Sequence, residues 1–246
     1  MYGYGLGYGY GYGYYGLDWT YFLVLIGAVL CLLASAKVNS TYNKYSRVQS
    51  MSGMTGASAA QRILQMSGIS DVVVEHVRGN LTDHYDPSKK VLRLSDSVYN
   101  STSVAAIGVA AHECGHALQH HYGYGPLKFR SLLVPAANIG SRLGLPIILI
   151  GLLISGAGST IVQIGIWVFS LAVLFQLVTL PVEFNASRRA KQVLGDYGIL
   201  GYQEVRHVDK VLDAAAFTYV AAAASSILQL LRLILIFGGG RSNRRD

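Results

Sequence analysis

The sequence predicts a mostly α-helical protein that is embedded in a membrane. Its 246 residues are 52% hydrophobic and only 13% charged, whereas soluble domains carry roughly 25% charged residues. Three long apolar segments, separated by stretches that contain Lys and Arg, account for this imbalance. The two cysteines are too few for a disulfide framework, so burial in protein and bilayer is expected to stabilise the chain.

The chain opens with a Gly/Tyr-rich tail, MYGYGLGYGYGYGYYGLD. Such a repeat predicts disorder for residues 1–18. Residues 19–36 form the first predicted transmembrane helix, close to one bilayer width. No Lys or Arg precedes this helix, while Lys37, Lys44 and Arg47 follow it. The positive-inside rule therefore predicts an external N-terminus and a cytoplasmic residue 37.

The second apolar segment, residues 143–182, contains no charge and is long enough for two crossings of ~20 residues each. The small residues SGAGS at 155–159 break it in the middle, which predicts a transmembrane helical hairpin. Pro181 is predicted to end the returning helix, because the residue before a proline disfavours helical geometry. A hairpin returns the chain to the side of the membrane from which it entered.

The third apolar segment, residues 214–240, is interrupted by Arg232. A fourth crossing would place Arg241, Arg244 and Arg245 outside, against the charge rule. A membrane-associated helix is therefore favoured over a fourth transmembrane helix, and the chain as a whole is predicted to have three to four membrane helices.

An Ala-rich segment, residues 103–111, leads into an HExxH motif, HECGH at 112–116. On a helix, His112 and His116 lie one above the other, so both imidazoles point the same way. Two neutral imidazoles at this spacing can hold a zinc ion. Glu113, one residue round the helix, can act on a zinc-activated water without being a ligand.

The alternative is a pair of ordinary helix histidines that face water or a polar neighbour. Two features favour the metal site. No charge occurs between Asp96 and His112, so an imidazole-rich and charged cluster there is costly unless something pairs with it. Gly115 is a poor helix former, and a metal site that requires close backbone approach explains its presence.

The third metal ligand has to come from another segment. His120 shares the helix stripe, but at ~1.5 Å per residue it lies about 12 Å along the axis from His112, too far for zinc–nitrogen bonds of ~2.0–2.1 Å. Cys114 points to another face and is assigned to packing. Glu183 is the best candidate, because it directly follows the uncharged hairpin and is predicted to open a helix on the same side as His112. The alternative is an ordinary glutamate at a helix start, favoured by the helix dipole.

Short elements lie between the first apolar segment and the motif. The stretch 58–61 resembles a capping box, and Gly68 is predicted to end the helix that follows it. Residues 71–77 are predicted to form a strand, and a turn at 86–89 leads into another strand at 91–94. The sequence thus predicts a small β-hairpin or sheet beside the helices.

Three segments together resemble a known family: LTDHYDP at 81–87, the HECGH motif, and EFNASRRA at 183–190. They are similar to the bacterial membrane-bound neutral zinc metallopeptidases (YugP-like), over about residues 18–237. The resemblance implies a zinc endopeptidase of the gluzincin type in the cell membrane, with Zn²⁺ as cofactor. The peptidase core would then consist of residues 37–142 and 183–213.

Related membrane gluzincins usually have an Asp four residues after the ligand Glu, and this chain has Ser187 there. A carboxylate at this position would orient a zinc histidine. Because serine is a weaker partner, Asn185 is the candidate to replace it. For stabilising the reaction's oxyanion, Arg188 is the first candidate, with His207 and Tyr219 as weaker ones.

The resemblance also implies that an edge strand before the motif helix pairs with an extended substrate, and residues 92–94 are the candidate for this strand. A plain structural hairpin is an equally weighted alternative. His84 and Asp86 are assigned to the turn rather than to a second metal group.

We therefore expect a membrane-bound zinc metalloendopeptidase in which His112, His116 and Glu183 hold Zn²⁺, water fills the fourth position, and Glu113 is the catalytic general base. The expected partners are protein or peptide substrates, in or next to the membrane, and the lipid bilayer. The protein is expected to be multi-pass in the plasma membrane, with its active site on the cytoplasmic side. The net charge of +7 lacks the basic–aromatic pattern of nucleic-acid binding, and nothing in the sequence predicts an oligomeric state.

Other functions stay open at this point. A site-2-type intramembrane protease would require an aspartate ligand, for which Asp196 is the only faint match. A non-catalytic, zinc-stabilised membrane scaffold or chaperone would bind zinc without needing Glu113. An accidental motif in a transporter-like protein would bind no stoichiometric zinc, and the lack of acidic pairs in the apolar segments argues against transport.

Overall fold

The computed structural model describes residues 18–238, so the disorder predicted for residues 1–18 falls almost wholly outside the described part. The described chain forms six helices and three short strands. The helices are α1 (Tyr21–Tyr45), α2 (Gly56–Met66), α3 (Val104–His121), α4 (Gly125–Ser155), α5 (Thr160–Asp196) and α6 (Tyr202–Phe237), and the strands are β1 (Val73–Val77), β2 (His84–Asp86) and β3 (Val91–Ser95).

Four of the helices, α1, α4, α5 and α6, are long and apolar enough to cross a membrane. Together they confirm a mostly α-helical, membrane-embedded fold. Helices α1 and α6 run antiparallel along their length. Lys37 lies over the Phe217 ring near one end, at 5.2 Å from the ring centroid, and Arg232 lies over the Tyr21 ring at the other end, at 4.1 Å. The segment around residues 214–237 is thus a full-length member of the helix bundle.

Helices α4 and α5 form the predicted hairpin, with residues 156–159 as the connection. Glycines let the two backbones approach closely: a Cβ on Gly140 would lie 2.6 Å from the Val168 carbonyl oxygen. Such small residues are typical of helix contacts in membranes. Gln163 Nε2 donates a hydrogen bond of 2.9 Å to the Phe237 carbonyl oxygen, so the end of α6 meets the start of α5 beside the hairpin connection.

The prediction that Pro181 ends a helix was wrong, because α5 continues through it to Asp196. A proline inside a helix loses one backbone hydrogen bond and crowds the carbonyl of the preceding turn. Packing offsets this cost, since the next residue, Val182, is completely buried. Glu183 therefore lies well inside α5. The prediction that it opens a helix was wrong. Likewise, α4 continues without a break across the predicted segment boundary at residues 142–143, and α6 continues across the one at residues 213–214.

The three strands form one sheet in the order β1-β3-β2. Strand β1 is parallel to β3, and β2 is antiparallel to it. The predicted turn is present: Asp86 Oδ1 accepts hydrogen bonds from the backbone N–H groups of Ser88 and Lys89. The prediction that residues 92–94 form an edge strand for substrate was wrong, because β3 is hydrogen-bonded on both sides.

Helix α2 begins three residues earlier than its predicted capping box. Thr55 is the N-cap and Ser58 is the third helical residue. Thr55 Oγ1 accepts a hydrogen bond from the Ser58 N–H, and Ser58 Oγ accepts one from the Thr55 N–H. A serine at this position replaces the usual Glu or Gln of the box. Gly68 follows the helix with φ +74°, as expected for a glycine that ends a helix.

Helix α3 lies at the centre of the part of the protein that also contains α2 and the three-stranded sheet. Its apolar side chains share one core with α2, β3, the C-terminal part of α5 and the N-terminal part of α6. The largest fully buried side chains there include Ile63, Leu92 and Ile107. Because α3 packs against both α5 and α6, the motif that it carries is held against two of the long apolar helices.

Candidate active site

The HECGH motif lies in the second half of α3, which begins at a capped N-terminus. Ser103 is the N-cap, and its Oγ accepts a hydrogen bond from the Ala106 N–H at 3.2 Å. One turn of helix separates His112 from His116. Their rings meet edge to face, with centroids 4.8 Å apart, so both imidazoles face the same side as predicted.

Gly115 is the point where α3 and α5 come closest. A Cβ at Gly115 would lie 2.5 Å from the Ala186 carbonyl oxygen, nearer than real Cβ contacts allow. The close backbone approach expected from the sequence is thereby confirmed. Ala186 is one turn after Glu183, so this contact brings the Glu183 side chain to the two histidines.

His112, His116 and Glu183 form one group. Glu183 Oε2 lies 3.3 Å from His112 Nε2 and 3.5 Å from His116 Nε2, and ligand atoms of all three residues lie within 4.8 Å of one another. Two ligands bound at ~2.0–2.1 Å to a tetrahedral zinc are about 3.4 Å apart. The two distances from Glu183 to the histidines match this value, and two imidazole nitrogens with one carboxylate oxygen are a donor set that zinc accepts.

The electrostatics of the group also suit a cation. The Glu183 side chain is only 4% exposed, and a buried carboxylate is costly without a positive partner. Burial alone would lower the pKa of His116, but the hydrogen bond to Glu183 and the negative charge of Glu113 outweigh it and raise this pKa. The site thus stabilises positive charge between the three side chains.

Each histidine has a partner for its other ring nitrogen. Ser187 Oγ lies 3.1 Å from His112 Nδ1, so the serine at the Asp position contacts the histidine directly. Gln119 Oε1 lies 3.0 Å from His116 Nδ1. Asn185, the candidate from the sequence, instead contacts Gln119. Sequence reasoning missed Gln119, although it lies one turn beyond His116 and is a polar residue in an apolar helix.

Glu113 is 9% exposed and lines, with His112, a cavity of about 180 Å³ between α1, α3 and α6. Most of the remaining lining is apolar or aromatic. It consists of Val38, Tyr42, Leu81, Asp83, Val109, Val211, Leu212, Ala215 and Tyr219. A carboxylate that lines the same cavity as one of the motif imidazoles can act on a group that occupies this cavity.

The three candidates for stabilising the oxyanion lie in different places. Tyr219 lines the cavity with His112 and Glu113. Arg188 is exposed on α5; five residues after Glu183, at about 100° per residue, it points to a different side of the helix. His207 packs against Tyr45, with ring centroids 5.0 Å apart.

Arg130 is a further charged residue at the site, and sequence reasoning missed it. Its Nη2 lies 3.9 Å from Glu183 Oε1, the carboxylate oxygen that faces away from the histidines. Its Cζ lies 5.8 Å from the centroid of the Phe175 ring. The contact joins α4, which runs from Gly125 to Ser155, to α5, and no local sequence pattern predicts it.

The other polar candidates lie elsewhere. Cys114 is buried and its Sγ donates to the Ala60 carbonyl oxygen at 3.7 Å; burial raises the pKa of this thiol, as expected for a packing residue. His120 Nδ1 bonds to Tyr85 Oη at 2.8 Å. Asp196 accepts a hydrogen bond from Gln192 and is not in the group formed by the two motif histidines and Glu183, which removes the basis of the site-2 hypothesis.

An HExxH helix and a glutamate from a second helix thus come together among four long apolar helices. The comparisons agree. The chain belongs to the family described as "Putative neutral zinc metallopeptidase", whose sequence profile matches residues 20–238. The resemblance identified from the sequence is thereby confirmed, and zinc is the cofactor that the family implies.

A similar protein is the "Putative membrane protease YugP" of Bacillus subtilis (strain 168). It is 50% identical over 220 residues, which cover 89% of this chain and 97% of the relative. No solved structure matches the chain.

Proposed function

We propose that this protein is a membrane-bound zinc metalloendopeptidase, with His112, His116 and Glu183 as the zinc ligands and Glu113 as the general base. The observation that carries the proposal is the convergence of these side chains from α3 and α5, at separations that fit zinc, beside a cavity. Membership of a zinc peptidase family supports the same reaction.

The residues divide the chemistry between them. Zinc, when bound, supplies a Lewis acid that polarises a peptide carbonyl and activates water. Glu113, which lines the cavity together with His112, accepts the proton of the attacking water and transfers it to the leaving amine. Tyr219 lines the same cavity and is the residue we assign to the oxyanion, because a phenol can donate a hydrogen bond as negative charge develops.

The substrates we propose are membrane proteins or their juxtamembrane segments. Two of the cavity walls come from α1 and α6, which are also candidate membrane spans. Val38 and Tyr42 lie on the site-proximal end of α1, directly after its apolar part. An extended segment that leaves the bilayer beside these helices reaches the catalytic group over a short distance.

We further propose four membrane crossings with the site on the cytoplasmic side. The antiparallel pairs α1–α6 and α4–α5 place Tyr21, the 156–159 connection and Phe237 at one end of the bundle. Lys37, Lys44 and Arg47 lie at the other end, with the catalytic group. The positive-inside rule then favours a cytoplasmic catalytic end, although the short basic C-terminal tail is thereby assigned to the opposite side.

The first test is the zinc content of detergent-purified wild-type protein and Glu183→Ala, measured by elemental mass spectrometry. We expect about one zinc per chain in the wild type and much less in the variant. Equal zinc in both would remove Glu183 from the site. No zinc in the wild type would refute the proposed metal centre.

The second test separates peptidase from scaffold. Glu113→Gln removes the base but leaves the three proposed ligands, so we expect full zinc content and loss of cleavage of a membrane-protein substrate in proteoliposomes. Retained biological function in Glu113→Gln, with zinc still bound, would favour the non-catalytic scaffold or chaperone.

A further inference from the structure

Gln119 is the most completely enclosed polar side chain beside the metal group. It is 0% exposed, and its side-chain amide contacts three polar groups. Oε1 lies 3.0 Å from His116 Nδ1. Nε2 lies 2.7 Å from the Val182 carbonyl oxygen and 3.0 Å from Asn185 Oδ1. Gln119 thus connects the α3 histidine to α5 on either side of Glu183.

The direction of each hydrogen bond follows from groups that can act in only one way. The Val182 carbonyl can only accept, so the Gln119 atom at 2.7 Å is the NH₂ group and the other is the carbonyl oxygen. That oxygen can only accept, so His116 Nδ1 carries a proton and donates it. In the neutral imidazole, the form that binds a metal, Nε2 of His116, which faces Glu183, is then the nitrogen with the free lone pair.

A second fixed group lies at the outer end of the same chain of bonds. Arg189 Nε, which can only donate, lies 2.9 Å from Asn185 Oδ1. This contact identifies the Asn185 atom as its oxygen, which also accepts from Gln119 Nε2. The Arg189 guanidinium lies 5.7 Å from the centroid of the Tyr122 ring, on the segment that follows α3. The direction of the network is therefore set at both ends.

We propose that Gln119 is a positioning residue that holds His116 in the tautomer and orientation needed to bind metal, and that it does so by tying His116 to the α5 turn carrying Glu183. The inference rests on the proposed zinc site. His112 differs, because its partner Ser187 can either donate or accept and so does not by itself fix a tautomer.

The test measures metal binding rather than activity. Detergent-purified full-length protein is titrated with Zn²⁺ against a chelator, and with Co²⁺ to record the visible d–d spectrum. Removal of a partner that orients a ligand histidine typically weakens metal binding 10–100-fold. We expect a loss of this size in Gln119→Ala, with a changed Co²⁺ spectrum.

Two further variants separate positioning from stability. Leu118→Ala truncates the adjacent buried side chain of the same helix; it should lower the melting temperature yet keep the zinc affinity and the Co²⁺ spectrum. Asn185→Asp keeps the oxygen that accepts from Gln119 and should bind zinc nearly as wild type does, whereas Asn185→Leu removes that oxygen and should bind several-fold more weakly.

The outcomes distinguish this inference from the proposed function. Absence of zinc from the wild type overturns both. Zinc in the wild type, with affinity and spectrum unchanged in Gln119→Ala, overturns only the role of Gln119. Equal losses in Gln119→Ala and Leu118→Ala also overturn it, because the effect is then general destabilisation. If Gln119→Ala does not fold, unchanged affinity in Asn185→Leu overturns it instead.

Discussion

At the scale of single residues, Gly115 decides whether α3 and α5, the helices that carry the proposed zinc ligands, can come into contact. Ala would favour the helix by about 1 kcal/mol over Gly. The chain nevertheless has Gly, because a Cβ would lie 2.5 Å from the Ala186 carbonyl oxygen. Backbone atoms cannot move aside as a flexible side chain can, so α3 and α5 would have to separate.

We therefore expect Gly115→Ala to lower both zinc content and thermal stability, since separating the helices withdraws Glu183 from the histidines. The matched control is Gly195→Ala near the end of α5, where a Cβ would meet nothing within 4 Å. That variant should be neutral or slightly more stable, through helix propensity alone. Elemental analysis and thermal unfolding measure both effects, and wild-type zinc content in Gly115→Ala would contradict the explanation.

Tyr219 and Arg188 offer a second residue-level comparison. Loss of one oxyanion donor costs roughly 10²–10³-fold in kcat in other hydrolases. We expect Tyr219→Phe to lower kcat by at least ~10-fold without changing zinc content, because the hydroxyl is lost and the ring still fills the cavity wall. Arg188→Ala should leave kcat near wild type, because Arg188 is exposed on another side of α5. The reverse order of effects would restore Arg188 as the donor.

At the scale of secondary-structure elements, the sequence predicted what depends on local spacing. The HECGH helix, the turn at 86–89 and the stop at Gly68 follow from residues a few positions apart. The order of the strands cannot be predicted from local spacing, because β1 pairs with β3 and β2 lies between them in the sequence. The link from Gln119 to α5 was missed for the same reason, because Val182 and Asn185, which it contacts there, are far away in the chain.

Pro181 shows tertiary packing overriding a local rule. The helix continues through it because Val182 and Glu183 are both buried on the face that meets α3, while Pro181 itself is exposed. We expect Pro181→Ala to restore a backbone hydrogen bond and raise the melting temperature, with a gain of up to about 3 kcal/mol. Zinc content should stay the same. A loss of zinc would show instead that the proline shapes α5 so that Glu183 reaches its place.

At the scale of the whole molecule, the bundle has two chemically different ends. One end carries the proposed catalytic group, the sheet and Lys37, Lys44 and Arg47. The other carries Tyr21, the 156–159 connection and the end of α6. The proposed four crossings would place Tyr21 and Phe237 on the side of the membrane away from the site, which the sequence alone disfavoured because of the basic residues that follow α6.

Labelling of single cysteines by a membrane-impermeant maleimide in intact cells tests this topology. In a Cys31→Ala background, where the buried Cys114 is protected, we expect Gly158→Cys to be labelled from outside. Lys89→Cys, in the exposed turn on the catalytic side, should be labelled only after permeabilisation. The opposite pattern would place the active site outside the cell.

Whether α6 crosses the membrane is tested by the accessibility of an epitope tag placed after Asp246. Contacts between α6 and α1 extend from Phe217 at one end of the bundle to Arg232 at the other, so the two helices lie side by side over most of their length. If α1 crosses, α6 crosses with it, and the tag is accessible to antibody in intact cells. A tag that is accessible only after permeabilisation would contradict the proposed four crossings.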